Sequence, residues 1–172
     1  MSNDKWSTPP EVFEALDKEF SFGVDVCAED ETAKCLVYWT IEDDALTQDW
    51  ANFGKSRFGN QTLWCNPPYS NIKPWVEKAI EAQLNGRMTV MLVMCDPSVK
   101  WFSLAQQYAS ETRFITDGRL AFLKNGVPQK GNNKGSVIFV FDPHRISAGH
   151  VSFVTREALM TKGQVNKLEV AA

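Results

Sequence analysis

Apolar and polar positions along the chain follow two periods, and the alternation between them predicts helices separated by short strands. Helical spacing predicts a helix over residues 9–19, with a capping-box pattern at Thr8 and Glu11 and proline in its first turn. The same spacing predicts helices over 72–84 and 99–108. Short continuous apolar runs predict strands over residues 22–28, 35–41, 61–65, 88–95, 113–116, 120–123 and 137–141.

This alternation predicts an α/β fold with a mostly parallel sheet and helices on both faces. A chain of 172 residues that is 44% apolar is long enough for one well-packed domain, which we place over residues 1–172. The polar, glycine-rich and basic segment near 124–135 predicts an exposed loop that opens with the turn signal Asn125-Gly126. The pattern weakens after Pro143, and residues 163–172 are predicted to form a frayed tail.

The net charge of −3 excludes a protein that holds DNA mainly by bulk electrostatics, because such proteins carry a large excess of Lys and Arg. The charges are unevenly placed, since residues 29–49 are strongly acidic and most basic residues fall in the second half. This predicts a basic face suited to a polyanionic substrate. No apolar run approaches the roughly 18 residues that cross a bilayer, so we expect no membrane contact and a cytoplasmic location.

The cysteines do not predict a metal site. They stand at positions 27, 35, 65 and 95 without a C-x-x-C pair, and only His144 and His150 could assist them in binding zinc. We therefore expect free thiols, of which Cys65 and Cys95 lie at the ends of apolar runs and pack in the core.

The sequence Asn66-Pro67-Pro68-Tyr69 follows directly after the strand predicted over 61–65. In open parallel sheets, ligands bind at the carboxyl ends of the strands. The two prolines form a rigid turn without backbone donors, so that nearby carbonyls and the Asn66 side chain can accept hydrogen bonds from an NH2 group. Tyr69 adds a flat face for a planar ring. The motif predicts a pocket for a planar amide or an aminated base, with an ordinary proline turn as the alternative.

An exocyclic amine on adenine is a poor nucleophile because its lone pair is delocalised into the ring. Two acceptors that hold both of its hydrogens favour a more pyramidal, electron-rich nitrogen, so that no strong general base is required. The electrophile must then already be activated, as the methyl group of the S-adenosylmethionine sulfonium is. Catalysis would consist mainly of positioning the two groups at attack distance.

The chain resembles the phage-type DNA N6-adenine methyltransferase (Dam) family over residues 5–142. The resemblance is carried by an ordered set of motifs, of which Asn66-Pro67-Pro68-Tyr69 matches the catalytic motif of amino-methyltransferases. The matching segments are Trp6-Ser7-Thr8-Pro9, Val24-Asp25-Val26-Cys27-Ala28, Asp43-Asp44-Ala45-Leu46 with Asp49-Trp50, Asn66-Pro67-Pro68-Tyr69-Ser70 and Gly118-Arg119-Leu120-Ala121-Phe122.

The resemblance implies a Rossmann-like fold that binds S-adenosylmethionine and DNA, with catalysis by Asn66, Pro67, Pro68 and Tyr69. The turn after Asp25 differs from that of most methyltransferases, which carry a glycine-rich turn at this place. Either Asp43 or Asp44 could face the ligand, or both could belong to a solvated loop or helix cap. The implied cofactor-binding residues are Trp6, Thr8, Pro9, Asp25, Cys27, Ala28, Asp43, Asp44 and Asn66.

A target base inside a duplex cannot reach such a pocket, so we expect it to be flipped out and stacked on Tyr69. The basic loop is the candidate element for DNA contact, since lysines reach phosphates and amides reach base edges, although an exposed turn without function is an equal alternative. The predicted DNA contacts are Ser70, Lys73, Arg119, Lys124, Lys130, Asn132 and Lys134. Resemblance to phage enzymes further suggests the host cytoplasm and protection of DNA from restriction.

Other functions fit parts of the sequence. Methylation of cytosine N4 or of a protein glutamine would use the same turn, although the first more often has serine in place of Asn66 and the second needs no basic loop. A catalytically inactive methyltransferase fold that binds DNA or a protein is a further alternative, which the retained Asn66–Tyr69 motif disfavours. The recognised DNA sequence, the strandedness of the substrate and the oligomeric state are not determined by the sequence.

Overall fold

The computed structural model describes residues 6–55, 59, 61–129 and 133–170. Short apolar runs form strands and the longer amphipathic segments form helices, in the predicted alternation. The helices are α1 (Pro10–Phe20), α2 (Lys73–Leu84), α3 (Lys100–Tyr108) and α4 (Arg156–Val170). The strands are β1 (Phe22–Asp25), β2 (Val37–Tyr38), β3 (Thr62–Cys65), β4 (Thr89–Met94), β5 (Glu111–Thr116), β6 (Leu123–Lys124), β7 (Val127–Pro128), β8 (Ser136–Phe141) and β9 (His150–Thr155).

Seven strands form one sheet in the order β2-β1-β3-β4-β8-β5-β9. Strands β2, β1, β3 and β4 are parallel neighbours, as are β5 and β9, whereas β8 runs antiparallel to both β4 and β5. The predicted α/β fold with a mostly parallel sheet is therefore confirmed. Because β8 is reversed, its beginning lies beside the end of β4, with Ser136 paired to Met94. The segment that leads into β8 thus reaches the carboxyl edge of the parallel strands.

Alternate residues of the central strands bury opposite faces of the sheet. In β4, Met91 and Val93 pack in the cluster that contains Val76 of α2 and Phe102 of α3. Val90 and Leu92 pack in the second cluster, which contains Leu16 of α1 and Leu159 of α4. These two layers explain why β4 is apolar from Val90 to Met94, since burying such a side chain contributes about 1.5–3 kcal/mol.

Helices α1 and α4 pack closely because Gly163 has no side chain. A Cβ atom at this position would lie 2.0 Å from the backbone oxygen of Glu11, which no side chain tolerates. The glycine that the sequence places in a frayed tail is therefore a buried contact between two helices.

Two local predictions near the amino terminus and the basic loop are wrong. Thr8 does not cap α1, because the N-cap residue is Pro9 and no side chain caps the helix. Residues 120–123 do not form a strand, since only Leu123 and Lys124 pair, in a small hairpin with β7. Leu120 and Phe122 are buried by packing on the second core cluster, which satisfies an apolar run without a sheet ladder.

The second half of the chain holds more regular structure than its pattern indicates. Strand β9 and helix α4 follow Pro143, and α4 continues to Val170 through most of the predicted tail. The sequence missed β9 because it is an edge strand whose side chains are largely exposed, with Phe153 at 70%. The turn predicted at Asn125-Gly126 is present, with φ angles of 52° and 75°, as a tight hairpin between β6 and β7 requires.

Candidate active site

The carboxyl ends of three parallel strands meet at one edge of the sheet. Asp25 ends β1, Asn66 follows β3, and Asp96 comes shortly after β4. The register holds Asp25 opposite Trp64, two residues before Asn66. The sequence placed Asp25 and Asn66 at strand ends, and the parallel pairing brings these ends side by side.

Asn66 has one satisfied and one unsatisfied end. Its Nδ2 donates to the backbone carbonyl of Trp6 at 3.4 Å. Its Oδ1 is buried and accepts no hydrogen bond from any residue that the structure describes. A buried acceptor without a donor costs about 1–3 kcal/mol, so it is rarely found where nothing binds.

The amino-terminal segment is fastened next to this motif by pairing with a distant part of the chain. The Ser7 N–H donates to the Leu123 carbonyl at 2.8 Å, and the Leu123 N–H donates to the Ser7 carbonyl at 2.9 Å. Thr8, the next residue, is 1% exposed, and its Oγ1 has no hydrogen-bond partner among the described residues. The side chain of Trp6 packs against the second core cluster, as does that of Tyr69.

The ring of Tyr69 is held edge-on by Phe122, with ring centroids 5.9 Å apart and an angle of 81° between the planes. Phe122 is itself buried, so this contact fixes the tyrosine ring against the core. The Tyr69 hydroxyl is buried without a partner in the described parts of the chain, and burial raises its pKa, which keeps the phenol neutral. Pro67 is buried and Pro68 is half-buried, as expected for a rigid turn.

Asp25 holds the loop that replaces the usual glycine-rich turn. Its Oδ1 accepts from the Cys27 N–H at 3.2 Å and its Oδ2 from the Lys34 N–H at 3.0 Å. Burial raises the pKa of this carboxyl to about 7, against the opposing effect of these two backbone hydrogen bonds. The Ala28 N–H donates to the Trp39 carbonyl at 2.9 Å. The N–H groups of Cys27 and Ala28 are therefore occupied within the protein, which leaves carbonyls and side chains for any ligand.

Asp43 and Asp44 differ in what their carboxylates do. Asp43 Oδ2 accepts from the backbone N–H of Thr40 at 2.8 Å and from its hydroxyl at 3.0 Å, which forms the capping box of a short 3-10 helix. Asp44 stands at a left-handed position with φ 45°, and its exposed carboxylate has no hydrogen bond to the described residues. Asp43 therefore caps the 3-10 helix through its Oδ2, whereas the Asp44 carboxylate makes no such bond.

The predicted DNA contacts that the structure describes lie in different elements of the chain. Lys134 forms an ion pair with Asp96, which the sequence did not indicate. Lys73 pairs with Glu77 across one turn of α2 at 3.2 Å, Ser70 and Arg119 are exposed, and Lys124 belongs to β6. Lys130 and Asn132 lie outside the described residues.

Sequence reasoning missed the supporting residues of the site. Phe122 and Leu123 were assigned to a strand, whereas they contact Tyr69 and Ser7. Asp96, in the sequence Asp96-Pro97-Ser98 directly after a buried strand, carried the same signal as Asp25 and could have been found by it.

Within the described ranges, no group of three or more His, Cys, Asp or Glu side chains is arranged to hold a metal ion. All four cysteines are free thiols. Among the helices that the structure describes, none combines the length and apolar character that a bilayer crossing requires.

A family model described as DNA N-6-adenine-methyltransferase (Dam) matches residues 1–166 of the chain. The chain belongs to this family. A DNA N-6-adenine-methyltransferase of Haemophilus phage HP1 is 36% identical over 145 residues, which cover 81% of the chain and 79% of the relative. The enzyme of the same description from Escherichia phage T1 is 35% identical over 154 residues, which cover 80% of the chain and 62% of the relative.

A putative methyltransferase of Escherichia coli K12, YfdM, is also 36% identical over 77 residues, which are 42% of the chain and 74% of that protein. Membership in the Dam family confirms the resemblance found in the motifs. It also confirms the prediction that the chain is an enzyme that methylates adenine N6 in DNA. The alternative of a catalytically inactive fold loses its support.

Proposed function

We propose that this Dam-family enzyme transfers a methyl group from S-adenosylmethionine to N6 of a flipped adenine, with Asn66 as the central residue. The observation that carries the proposal is the buried Asn66 Oδ1, which has no donor among the described residues while its Nδ2 is tethered to Trp6. An adenine amino group would supply the missing donor. The free energy that the orphaned acceptor costs the free enzyme, about 1–3 kcal/mol, would then be recovered on substrate binding.

The turn after Asn66 suits a reaction that needs acceptors and no strong base. Pro67 and Pro68 have no N–H groups, so no backbone donor of these two residues competes for the adenine amine. Asn66 Oδ1 holds one amino hydrogen and draws the nitrogen lone pair out of conjugation with the ring. Positioning of the nitrogen toward the methyl donor then supplies most of the rate enhancement.

Tyr69 supplies the platform for the base. Its neutral ring is fixed edge-on by Phe122, so it can stack on an adenine without losing side-chain entropy on binding. Because a paired base in a duplex cannot reach this ring, the target nucleotide must leave the helix.

The residues around the motif fit S-adenosylmethionine, which offers an ammonium group, two ribose hydroxyls and an adenine amine as donors. Thr8 Oγ1 is a buried group without a partner among the described residues, and the Asp44 carboxylate is exposed and unbonded to them. Asp25, with a pKa of about 7, can accept from an ammonium group or a hydroxyl beyond its two backbone bonds. When bound, the cofactor supplies a methyl group already activated on sulfur. We assign Trp6, Thr8, Pro9, Asp25 and Asp44 to its pocket.

We propose DNA contact for Ser70, Lys73 and Arg119, which are exposed, and for Lys124, which is half-buried. The surface ion pair of Lys73 with Glu77 is weak enough to open toward a phosphate. Lys134 is a poorer candidate, because its ammonium already neutralises Asp96.

The deciding experiment incubates the enzyme with unmethylated DNA and methyl-labelled S-adenosylmethionine, and then analyses the nucleosides. N6-methyladenine in the wild type and its loss in Asn66→Ala are expected. Glu81→Ala, which breaks an exposed ion pair with Lys78 on α2, serves as the control that keeps activity. Label in N4-methylcytosine, or unchanged activity in Asn66→Ala, would contradict the proposal.

A further inference from the structure

We propose that the carbonyl of Trp6, held in place by the pairing of Ser7 with Leu123, sets which end of the Asn66 amide faces the pocket. The inference rests on the proposed function of Asn66 as the acceptor for the target amine. It makes Ser7 and Leu123 positioning residues that act through their backbones.

An asparagine side-chain amide can rotate by half a turn about its Cβ–Cγ bond with little change in shape. This rotation exchanges the positions of its acceptor oxygen and its donor nitrogen. A turned Asn66 would present NH2 to the NH2 of adenine and could not bind it. The Trp6 carbonyl can only accept, so it favours Nδ2 on its own side, at 3.4 Å. Oδ1 is thereby left on the other side, buried and without a partner in the described residues.

The Trp6 carbonyl can do this only if the amino-terminal segment stays in place. Two backbone hydrogen bonds, of 2.8 and 2.9 Å, join Ser7 to Leu123 from a distant part of the chain. Phe122, the neighbour of Leu123, fixes the ring of Tyr69. One short pairing thus supports both the acceptor and the stacking platform.

The test is Ser7→Pro, which removes the N–H that donates to Leu123, compared with Ser7→Ala, which keeps it and removes only the hydroxyl. We expect Ser7→Pro to lower the single-turnover rate of methyl transfer by about tenfold or more, since loss of alignment at a reacting centre costs up to about 10²-fold. Ser7→Ala is expected to stay within about twofold of the wild type, because it keeps both backbone hydrogen bonds. Because the same segment contributes to the proposed cofactor pocket, the single-turnover rates are compared at saturating S-adenosylmethionine. Its dissociation constant is measured for both variants, and thermal unfolding checks that both are folded.

The Asn66→Asp background distinguishes orientation from a general structural effect. A carboxylate presents an acceptor oxygen in either rotation, so it has no orientation to lose. Ser7→Pro should therefore cost markedly less in this background than in the wild type, which a double-mutant cycle measures. An equal cost in both backgrounds would overturn the inference.

Failure of the inference and failure of the proposed function give different results. If the wild type forms no N6-methyladenine, the proposed function fails. If Asn66→Ala abolishes the product but Ser7→Pro behaves like Ser7→Ala, only the orienting role of Trp6 fails. If Ser7→Pro weakens cofactor binding by the same factor as the rate, the segment acts through the cofactor and the orienting role is overturned.

Discussion

Two polar clusters of this enzyme are built in opposite ways. In the open cleft of about 700 Å³ between α1, α4 and the edge of the sheet, Arg113 donates to Glu19 at 2.7 and 2.8 Å and to Glu111 at 2.8 and 3.1 Å. Ser152 adds a further hydrogen bond to Glu111. At the carboxyl edge of the sheet, Thr8, Asn66 and Tyr69 each keep a buried polar atom without a partner in the described chain.

The difference separates a structural cluster from a functional one. The charges of Arg113, Glu19 and Glu111 are paired with one another, and hydrogen bonds to the two carboxylates raise the pKa of Arg113. A ligand would have to displace those bonds. The unsatisfied atoms at the carboxyl edge cost stability in the free protein, and a ligand or a water that bonds to them restores it. The cleft around Arg113 therefore offers fewer unsatisfied polar atoms to a ligand than the carboxyl edge does.

The largest expected effect is at Asn66. Asn66→Ala should lower methyl transfer by about 10²-fold or more, as loss of one preorganised polar contact does in other enzymes. The variant removes the unsatisfied Oδ1, which favours the folded state, and also the bond from Nδ2 to the Trp6 carbonyl, which opposes it. The free energy of unfolding should therefore change by about 1 kcal/mol or less. Rate measurements beside thermal unfolding check this. If Asn66→Ala were inactive because it is unfolded, Asn66 would have a structural role, and the contrast between the two clusters would not hold.

At Tyr69, removal of the whole ring and removal of the hydroxyl alone should have different effects on activity. Tyr69→Ala is expected to weaken methyl transfer about tenfold to hundredfold, because stacking on a base contributes about 1–3 kcal/mol. Tyr69→Phe keeps the ring and removes a hydroxyl that has no partner among the described residues, so activity should remain within a few fold and stability should not fall. Binding of DNA with an abasic target site, measured in parallel, should be insensitive to both changes.

In the cleft, a substitution should lower stability and leave the rate of methyl transfer unchanged, which is the reverse of the expectation at Asn66. Arg113→Ala should lower the free energy of unfolding by about 1–3 kcal/mol, because it leaves Glu111 partly buried without its cation. The rate per folded molecule should not change. Glu77→Ala, which breaks an exposed pair, is the matched control and should cost about 0.5 kcal/mol or less. A loss of turnover in folded Arg113→Ala would show that the cleft takes part in catalysis.

A further effect is a dependence of stability on pH. Folding raises the pKa of Asp25 from 3.8 to about 7, so the folded state holds its proton more tightly than the unfolded state does. Unfolding then releases a proton within this window, and the contribution of Asp25 to stability falls as the pH rises from 3.8 toward 7. Denaturant unfolding of Asp25→Asn should show less of this decline. Parallel curves for the two proteins would contradict the raised pKa.

Prediction from the sequence succeeded where a local pattern was sufficient and failed where a distant contact decided. The motif at Asn66 and the strand end at Asp25 were placed correctly, because an apolar run that stops at a polar residue marks a strand terminus. Thr8 was taken for a helix cap, whereas pairing of Ser7 with Leu123 places it in the interior. The ion pair of Lys134 with Asp96 was likewise not predicted, because the two residues are far apart in the sequence.

The sequence by itself determined the alternation of strands and helices, the family and the motif at the centre of the reaction, because these depend on residue types at short spacing. Only the tertiary structure decided which polar atoms remain unsatisfied. That property depends on whether groups from β1, β3, the amino-terminal segment and the hairpin of β6 and β7 approach within hydrogen-bond distance. Parallel pairing and the Ser7–Leu123 bridge bring the site together over long stretches of chain, and no local pattern records such contacts.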